Sequence, residues 1–200
     1  MNKQHEKIPI LLLAAGSSTR MGGQSKQLLL INGIPLLQKT VKELVAANTG
    51  ELVVVLGANA EAHKKVIGDY PVRIIENTDW QNGMGSSIKA GLKYITDQLP
   101  ESKAVIISVC DQPHLTSLHM KELIRSYFKN KKSIVASAYK NTVGVPVLFD
   151  RSHFEALSKI QDEEGAKKVM QQNKNEIDSV SFPLGNIDLD SMEDYDTFNQ

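Results

Sequence analysis

The sequence predicts an α/β fold, a largely parallel sheet covered on both faces by helices, from two kinds of segment and their order. Apolar runs recur at residues 8–15, 51–56, 72–75 and 104–109, and the first two break off at a glycine. Segments with apolar residues at helical spacing separate them. Parallel strands need a crossover connection, and strands buried on both faces read as continuous apolar runs, so strand, helix, strand in alternation implies a parallel sheet.

The first run breaks at Gly16, and residues 11–26 read LLLAAGSSTRMGGQSK. Gly16, Gly22 and Gly23 let the backbone approach a ligand closely, Ser17, Ser18 and Thr19 add hydroxyl donors, and Arg20 and Lys26 bring charge that a triphosphate could neutralise. An ordinary surface connection with two solvated cations fits the composition as well. The loop is not a Walker A motif, which needs Lys directly after its second Gly, nor the dinucleotide fingerprint G-x-G-x-x-G.

Residues 35–47 place Leu36, Leu37, Val41, Leu44 and Val45 on one stripe, with Pro35 at a first helical position. A buried strand follows at 51–56, ended by Gly57, then a helix at 58–67 and a short strand at 72–75. Residues 77–87 (NTDWQNGMGSS) interrupt the alternation before helical spacing returns at 88–95, with Ser86 or Ser87 as cap. Trp80 reads either as a packing anchor or as part of a second ligand surface at the carboxyl end of the sheet. The strand at 104–109 stops at Cys110-Asp111-Gln112-Pro113. Asp111 at the tip of a buried strand suits a metal ligand, or it caps the next helix, for which Thr116 and Ser117 also compete. Cys110 reads as a strand residue with no cationic partner nearby in sequence.

A helix at 118–128, a strand at 134–137, a polar stretch at 138–144 and an apolar run at 145–149 follow. Pro146 marks that run as an edge or bent strand. Two helices are predicted at 151–160 and 164–172, and a strand at 177–182. In the terminal IDLDSMEDYDTF, Asp188 and Asp190 share a face of an extended piece, and a Ser-x-x-Asp pattern opens a short helix; a solvated acidic terminus is the alternative.

At 200 residues, with 41% hydrophobic and 23% charged residues, the chain fits one domain spanning 1–200, with 1–7 as a flexible tail. Lys and Arg number 23 against 23 Asp and Glu, which gives no electrostatic case for nucleic-acid binding. Lys129, Lys131 and Lys132 complement a helix end. One cysteine excludes an intrachain disulfide, and MNKQHEK with the short run after it is too short for a signal peptide or a membrane span, so a soluble cytoplasmic protein is expected. His5, His63, His114, His119 and His153 show no zinc-ligand spacing.

Five motifs in order carry a resemblance: Leu13-Ala14-Ala15-Gly16-x-Ser18-x-Arg20-Met21-Gly22 with Lys26; Asn77-x-x-Trp80-x-x-Gly83-Met84-Gly85-Ser86-Ser87; Asp111-Gln112-Pro113; Gly144-Val145-Pro146; and Asp188-x-Asp190. Together they resemble the MobA-like nucleotidyltransferases, and within them the molybdenum cofactor cytidylyltransferase branch. The resemblance implies a three-layer α/β/α sandwich with a mostly parallel, Rossmann-like sheet of the nucleoside-diphosphosugar transferase type. It implies a catalytic set of Lys26, Arg20 and Asp111. The first loop, Leu13, Ala14, Ala15, Gly16, Ser17 and Ser18 with Arg20 and Lys26, would hold the nucleotide, and Asn77, Gly83, Gly85, Ser86 and Ser87 would help with base and ribose. Asp111 and Asp190, with Asp188 as the alternative, would hold Mg²⁺. The LAAG form of the first motif goes with CTP and LAGG with GTP, so Ala15 favours CTP.

The acceptor implied is a phosphorylated pterin, and a molybdenum hydroxylase is the implied protein partner. Guanylyl transfer, transfer to a different phosphorylated acceptor and a non-catalytic cofactor chaperone are the competing readings. Two departures stand out. Ser191-Met192 replaces the Thr-Pro of the family's D-x-D-T-P-E-D tail, and one extra residue separates Arg20 from Lys26 relative to some members.

Overall fold

In a computed structural model of the chain the described residues are 7–21 and 24–198, with the side chain of Arg20 set aside. Seven strands form one sheet: β1 (Ile10–Ala14), β4 (Leu52–Leu56), β5 (Val72–Glu76), β6 (Ala104–Val109), β7 (Ile134–Tyr139), β8 (Thr142–Asp150) and β9 (Ile177–Ser181). Their order is β5-β4-β1-β6-β8-β7-β9, and only β8 runs against its neighbours. Alternation along β1 divides the interior in two. Ile10, Leu12 and Ala14 face α1 (Leu36–Ala47), α2 (Ala60–Ile67) and α4 (Ser117–Asn130). Leu11 and Leu13 face α3 (Met84–Gln98), α5 (Phe154–Ser158) and α6 (Lys167–Gln172). This is the three-layer, mostly parallel sandwich expected from the sequence.

Several local expectations need correction. Residues 30–35 form a hairpin, β2 (Leu30–Ile31) and β3 (Ile34–Pro35), around Asn32 and Gly33 at φ 52° and 79°. The helix that follows starts at Leu36, so Pro35 is its N-cap and not its first residue. The polar stretch 138–144 is the end of a long hairpin in which β7 and β8 continue to a turn at Lys140-Asn141, both at positive φ.

Pro146 lies in β8, an interior strand. The register shifts between Ala136 and Ser137 opposite it, and this bulge accommodates a residue without an N–H. The helices at 151–160 and 164–172 are shorter than expected, at Phe154–Ser158 and Lys167–Gln172, because Arg151–His153 is a turn of 3₁₀ helix and residues 161–166 form a turn. Last comes α7 (Met192–Phe198), with Ser191 and Asp194 bonded to one another as the Ser-x-x-Asp pattern predicts. No helix among the described residues is long and apolar enough to cross a membrane.

Candidate active site

Strand order reverses between β1 and β6, and open α/β sheets bind ligands beyond the carboxyl ends of strands at such a point. The chain leaves β1 at Ala14 into residues 15–18, and β6 ends at Val109, leaving Cys110 buried and Asp111 at the rim. Burial, reinforced by the charge of Asp111, pushes the Cys110 thiol well up, which removes it as a nucleophile.

A third segment reaches this place from the far edge of the sheet. After β9, residues 182–190 cross the carboxyl ends. Phe182 N–H donates to Ala138 O (2.8 Å) and Leu189 N–H to Asp111 O (3.1 Å). Gln112 ties the crossing to β8, donating from Nε2 to Gly185 O (2.7 Å) and Val145 O (3.2 Å). Leu189 is buried, and Asp188 and Asp190 flank it.

Lys26 joins the three segments: its Nζ donates to Asp111 Oδ2 (2.7 Å) and to Asp190 Oδ1 (2.9 Å). Burial alone would push this ammonium down, but the charge of Asp111 and the hydrogen bonds to Asp111 and Asp190 outweigh it and hold the lysine above its ordinary range. Asp188 is raised to about 6 by burial and then by repulsion from Asp111 and Asp190. Two carboxylates thus pair with one ammonium and Asp188 adds a third acidic group within reach of their charge, an excess of negative charge that a divalent cation would answer.

Among the described residues, no three ligand-type side chains converge closely enough to hold an ion unaided. Two carboxylates closing on one cation nevertheless fit Mg²⁺, which keeps its waters and takes further oxygens from substrate phosphates.

The first loop is set from beneath. Ser18, at φ 56°, donates from Oγ to Gln27 Oε1 (3.0 Å) and accepts from Lys26 N–H (3.0 Å). Gln27 is buried and donates from Nε2 to Gly16 O (2.9 Å). Sequence reasoning passed over Gln27; the signal was a polar residue directly before the leucines at 28–30. Leu13 and Ala14 bury their side chains on opposite faces of the sheet, so only their backbone is available to a ligand. Ala15 O accepts from Ala58 N–H (3.0 Å). Gly16 is exposed, and a Cβ there would meet nothing within 4 Å. Ser17 is half-buried. Gly22, Gly23 and the side chain of Arg20 lie outside the described residues.

The second loop differs from expectation. Asn77 is buried; its Nδ2 donates to Ser86 Oγ (2.8 Å) and Ser87 Oγ (3.0 Å), and its Oδ1 accepts from Asp79 N–H (3.0 Å). Ser86 and Ser87 are buried too, so the polar atoms of all three turn towards one another and hold the loop's shape instead of facing a ligand. The helix also begins before these serines, at Met84, with Gly83 as N-cap at φ 126°. The need for glycine at 83 and 85 comes from a neighbouring turn. A Cβ on Gly83 would lie 2.4 Å from Asp162 O, and one on Gly85 2.1 Å from Gln161 O. Trp80 is a packing anchor next to the first loop: a Cβ on Gly57 would lie 2.6 Å from Trp80 Cβ and 2.8 Å from Ala15 O.

The description of a MobA-like NTP transferase domain matches residues 10–177. The chain belongs to that family. The family is one of nucleotidyl transfer, and its nucleotidyltransferase members use nucleoside triphosphates. The chain is 29% identical over 200 aligned residues to nicotine blue oxidoreductase of Paenarthrobacter nicotinovorans, covering 95% of this chain and 92% of that protein. It is 30% identical over 138 residues to the bifunctional IPC transferase and DIPP synthase of Rubrobacter xylanophilus. That alignment covers 66% of this chain and 29% of the longer relative. Among solved structures, Rv0371C of Mycobacterium tuberculosis in complex with manganese superposes with a TM-score of 0.79 at 22% identity, covering 96% of this chain and 97% of that one, a likeness that establishes the fold.

Proposed function

We propose that this MobA-like protein transfers CMP from CTP to a phosphate of a pterin cofactor and releases pyrophosphate. An acceptor phosphate oxygen forms the new bond to the α-phosphorus, and the bond from that phosphorus to the bridging oxygen of the β-phosphate breaks. The observation that carries this reading is the convergence of Lys26, Asp111 and Asp190 under an open glycine loop at the strand-order reversal. Such chemistry needs in-line positioning and neutralised charge, and a phosphate nucleophile is already ionised near neutrality, so no general base is required.

Asp111 and Asp190 would hold Mg²⁺, which when bound supplies charge neutralisation at the phosphates; manganese in the Rv0371C structure supports a divalent ion in this fold. Lys26 has three donors and spends two on the carboxylates, which leaves one N–H for a phosphate oxygen. Gly16 gives the triphosphate an unobstructed approach to the loop backbone. The choice of CTP rests on Ala14-Ala15-Gly16, and the pterin acceptor on the resemblance of the five motifs.

Pyrophosphate release with CTP, GTP and ATP, with and without molybdopterin, tests the proposal. Release with CTP that depends on molybdopterin supports it, a GTP preference overturns the nucleotide choice, and cofactor binding without release points to a chaperone. Asp111→Ala is expected to lower turnover at least about 100-fold while leaving the circular dichroism spectrum unchanged; activity within tenfold of the parent would sink the assignment of Asp111.

The name of the Paenarthrobacter relative, nicotine blue oxidoreductase, favours a second reading, an oxidoreductase. The sequence lacks G-x-G-x-x-G, and the acidic cluster with its lysine suits a metal-nucleotide better than hydride transfer. Oxidation of NADH or NADPH in the presence of nicotine blue, with no pyrophosphate formed from any nucleotide, would establish that reading instead.

A further inference from the structure

Gln27 connects the first loop to a helix that no part of the mechanism uses. The side chain is 1% exposed and every polar atom is engaged. Oε1 accepts from Ser18 Oγ (3.0 Å) and Ser25 Oγ (2.8 Å), while Nε2 donates to Gly16 O (2.9 Å) and approaches Ala14 O (3.4 Å). Ser25 Oγ in turn lies 2.7 Å from Nε2 of His63, a fully buried residue of α2. A hydroxyl has one proton, and Ser25 gives its own to Gln27. The proton between Ser25 and His63 is therefore the imidazole's, which fixes His63 as the neutral Nε2–H tautomer. The other nitrogen, Nδ1, is buried without a partner among the described residues, so protonating it would bury an unpaired donor. The donors thus run in one direction, from His63 to Ser25 to Gln27 to the carbonyl of Gly16.

That direction has a consequence for the loop. In a trans peptide the C=O and the following N–H point opposite ways. Gly16 O turns towards Gln27, so the N–H of Ser17 points away from it; Ala15 O turns towards Ala58, so the N–H of Gly16 points away from that neighbour. Both N–H groups belong to the stretch where a Cβ on Gly16 would meet nothing within 4 Å.

We propose that Gln27, held by Ser25 and His63, is the positioning residue that fixes residues 15–18 so that the N–H groups of Gly16 and Ser17 face an anionic polyphosphate. The identity of that ligand rests on the nucleotide reading above, whereas the fixing of the loop does not.

Amide hydrogen exchange and CTP kinetics on the parent, Gln27→Leu, Ser25→Ala and Ser25→Thr test this. Gln27→Leu is expected to speed exchange at the two amides that report the loop's position, Ala58 N–H on Ala15 O and Lys26 N–H on Ser18 Oγ, about tenfold or more while β4 and β6 stay unchanged. It raises the KM for CTP about tenfold with kcat within about threefold. Ser25→Ala gives the same pattern at smaller amplitude and carries the comparison if Gln27→Leu does not fold; Ser25→Thr, which keeps the hydroxyl, matches the parent. Unchanged loop exchange in Gln27→Leu, or a fall in kcat with KM unmoved, overturns the role of Gln27. A parent that binds none of CTP, GTP and tripolyphosphate sinks the nucleotide reading, and the exchange result alone then decides the inference.

Discussion

At the scale of single residues, His119 shows how a buried side chain couples to pH. Its Nε2 lies 2.7 Å from Ser137 Oγ, and Ser137 spends its proton on Pro146 O (2.6 Å), so Nε2 of His119 is the donor. The ring stacks on Phe182 at 4.5 Å, where the crossing segment leaves β9. Burial pushes its pKa down to about 4 from 6.5. Between those values the unfolded chain binds a proton that the folded chain refuses, so this contribution is complete above about pH 6.5 and is lost as pH falls towards 4. His119→Gln is expected to reduce the stability difference between about pH 7.5 and about pH 5 by on the order of 2 kcal/mol, read by urea denaturation at both pH values. An equal pH dependence in parent and variant would contradict the neutral assignment. Burial is also what sequence could not reveal for the site. Composition marked Asn77, Ser86 and Ser87 as polar, but not that they face one another, and it did not single out Gln27.

At the scale of elements, the start of α3 and the turn at 161–164 are fitted backbone to backbone. Gly85 N–H donates to Asp162 O (2.7 Å), and Lys89 pairs with the Asp162 carboxylate. Since the atoms in the way are main chain, Gly85→Ala cannot be relieved by a rotamer change and is expected to cost about 1–3 kcal/mol, measured as a lowered midpoint in urea. A variant as stable as the parent would mean that the turn moves freely.

The long apolar strands were legible because burial on both faces leaves a continuous signature, and β6 has the predicted bounds. The β2–β3 hairpin went unread, although Asn-Gly is a strong turn signal, because two-residue strands are too short to show alternation. The reach of β7 and β8 through a polar stretch was hidden because an exposed hairpin end needs no apolar face.

At the scale of the molecule, the sheet brings together groups that spacing alone cannot associate: Lys26 stands 85 positions from Asp111 and 164 from Asp190. The resemblance named these residues, and the topology supplies the physical reason they meet. Asp190 is half-exposed, so its ion pair adds little stability, about 0–1 kcal/mol. Asp190→Asn is therefore expected to leave the melting temperature nearly unchanged while weakening divalent-metal dependence at least about tenfold, read by titrating Mg²⁺ or Mn²⁺ in the pyrophosphate assay. A large drop in melting temperature with unchanged metal dependence would reverse that assignment.

The same separation orders events during synthesis. Lys26 leaves the ribosome 164 positions ahead of Asp190, a wait of roughly 8–30 s at bacterial and eukaryotic elongation rates. Asp111 arrives about midway, so the lysine gains its first carboxylate while the sheet is still incomplete. The crossing segment that carries Asp188 and Asp190 follows all seven strands of the sheet, so the acidic cluster around Lys26 is completed only after the strands beneath it have been made.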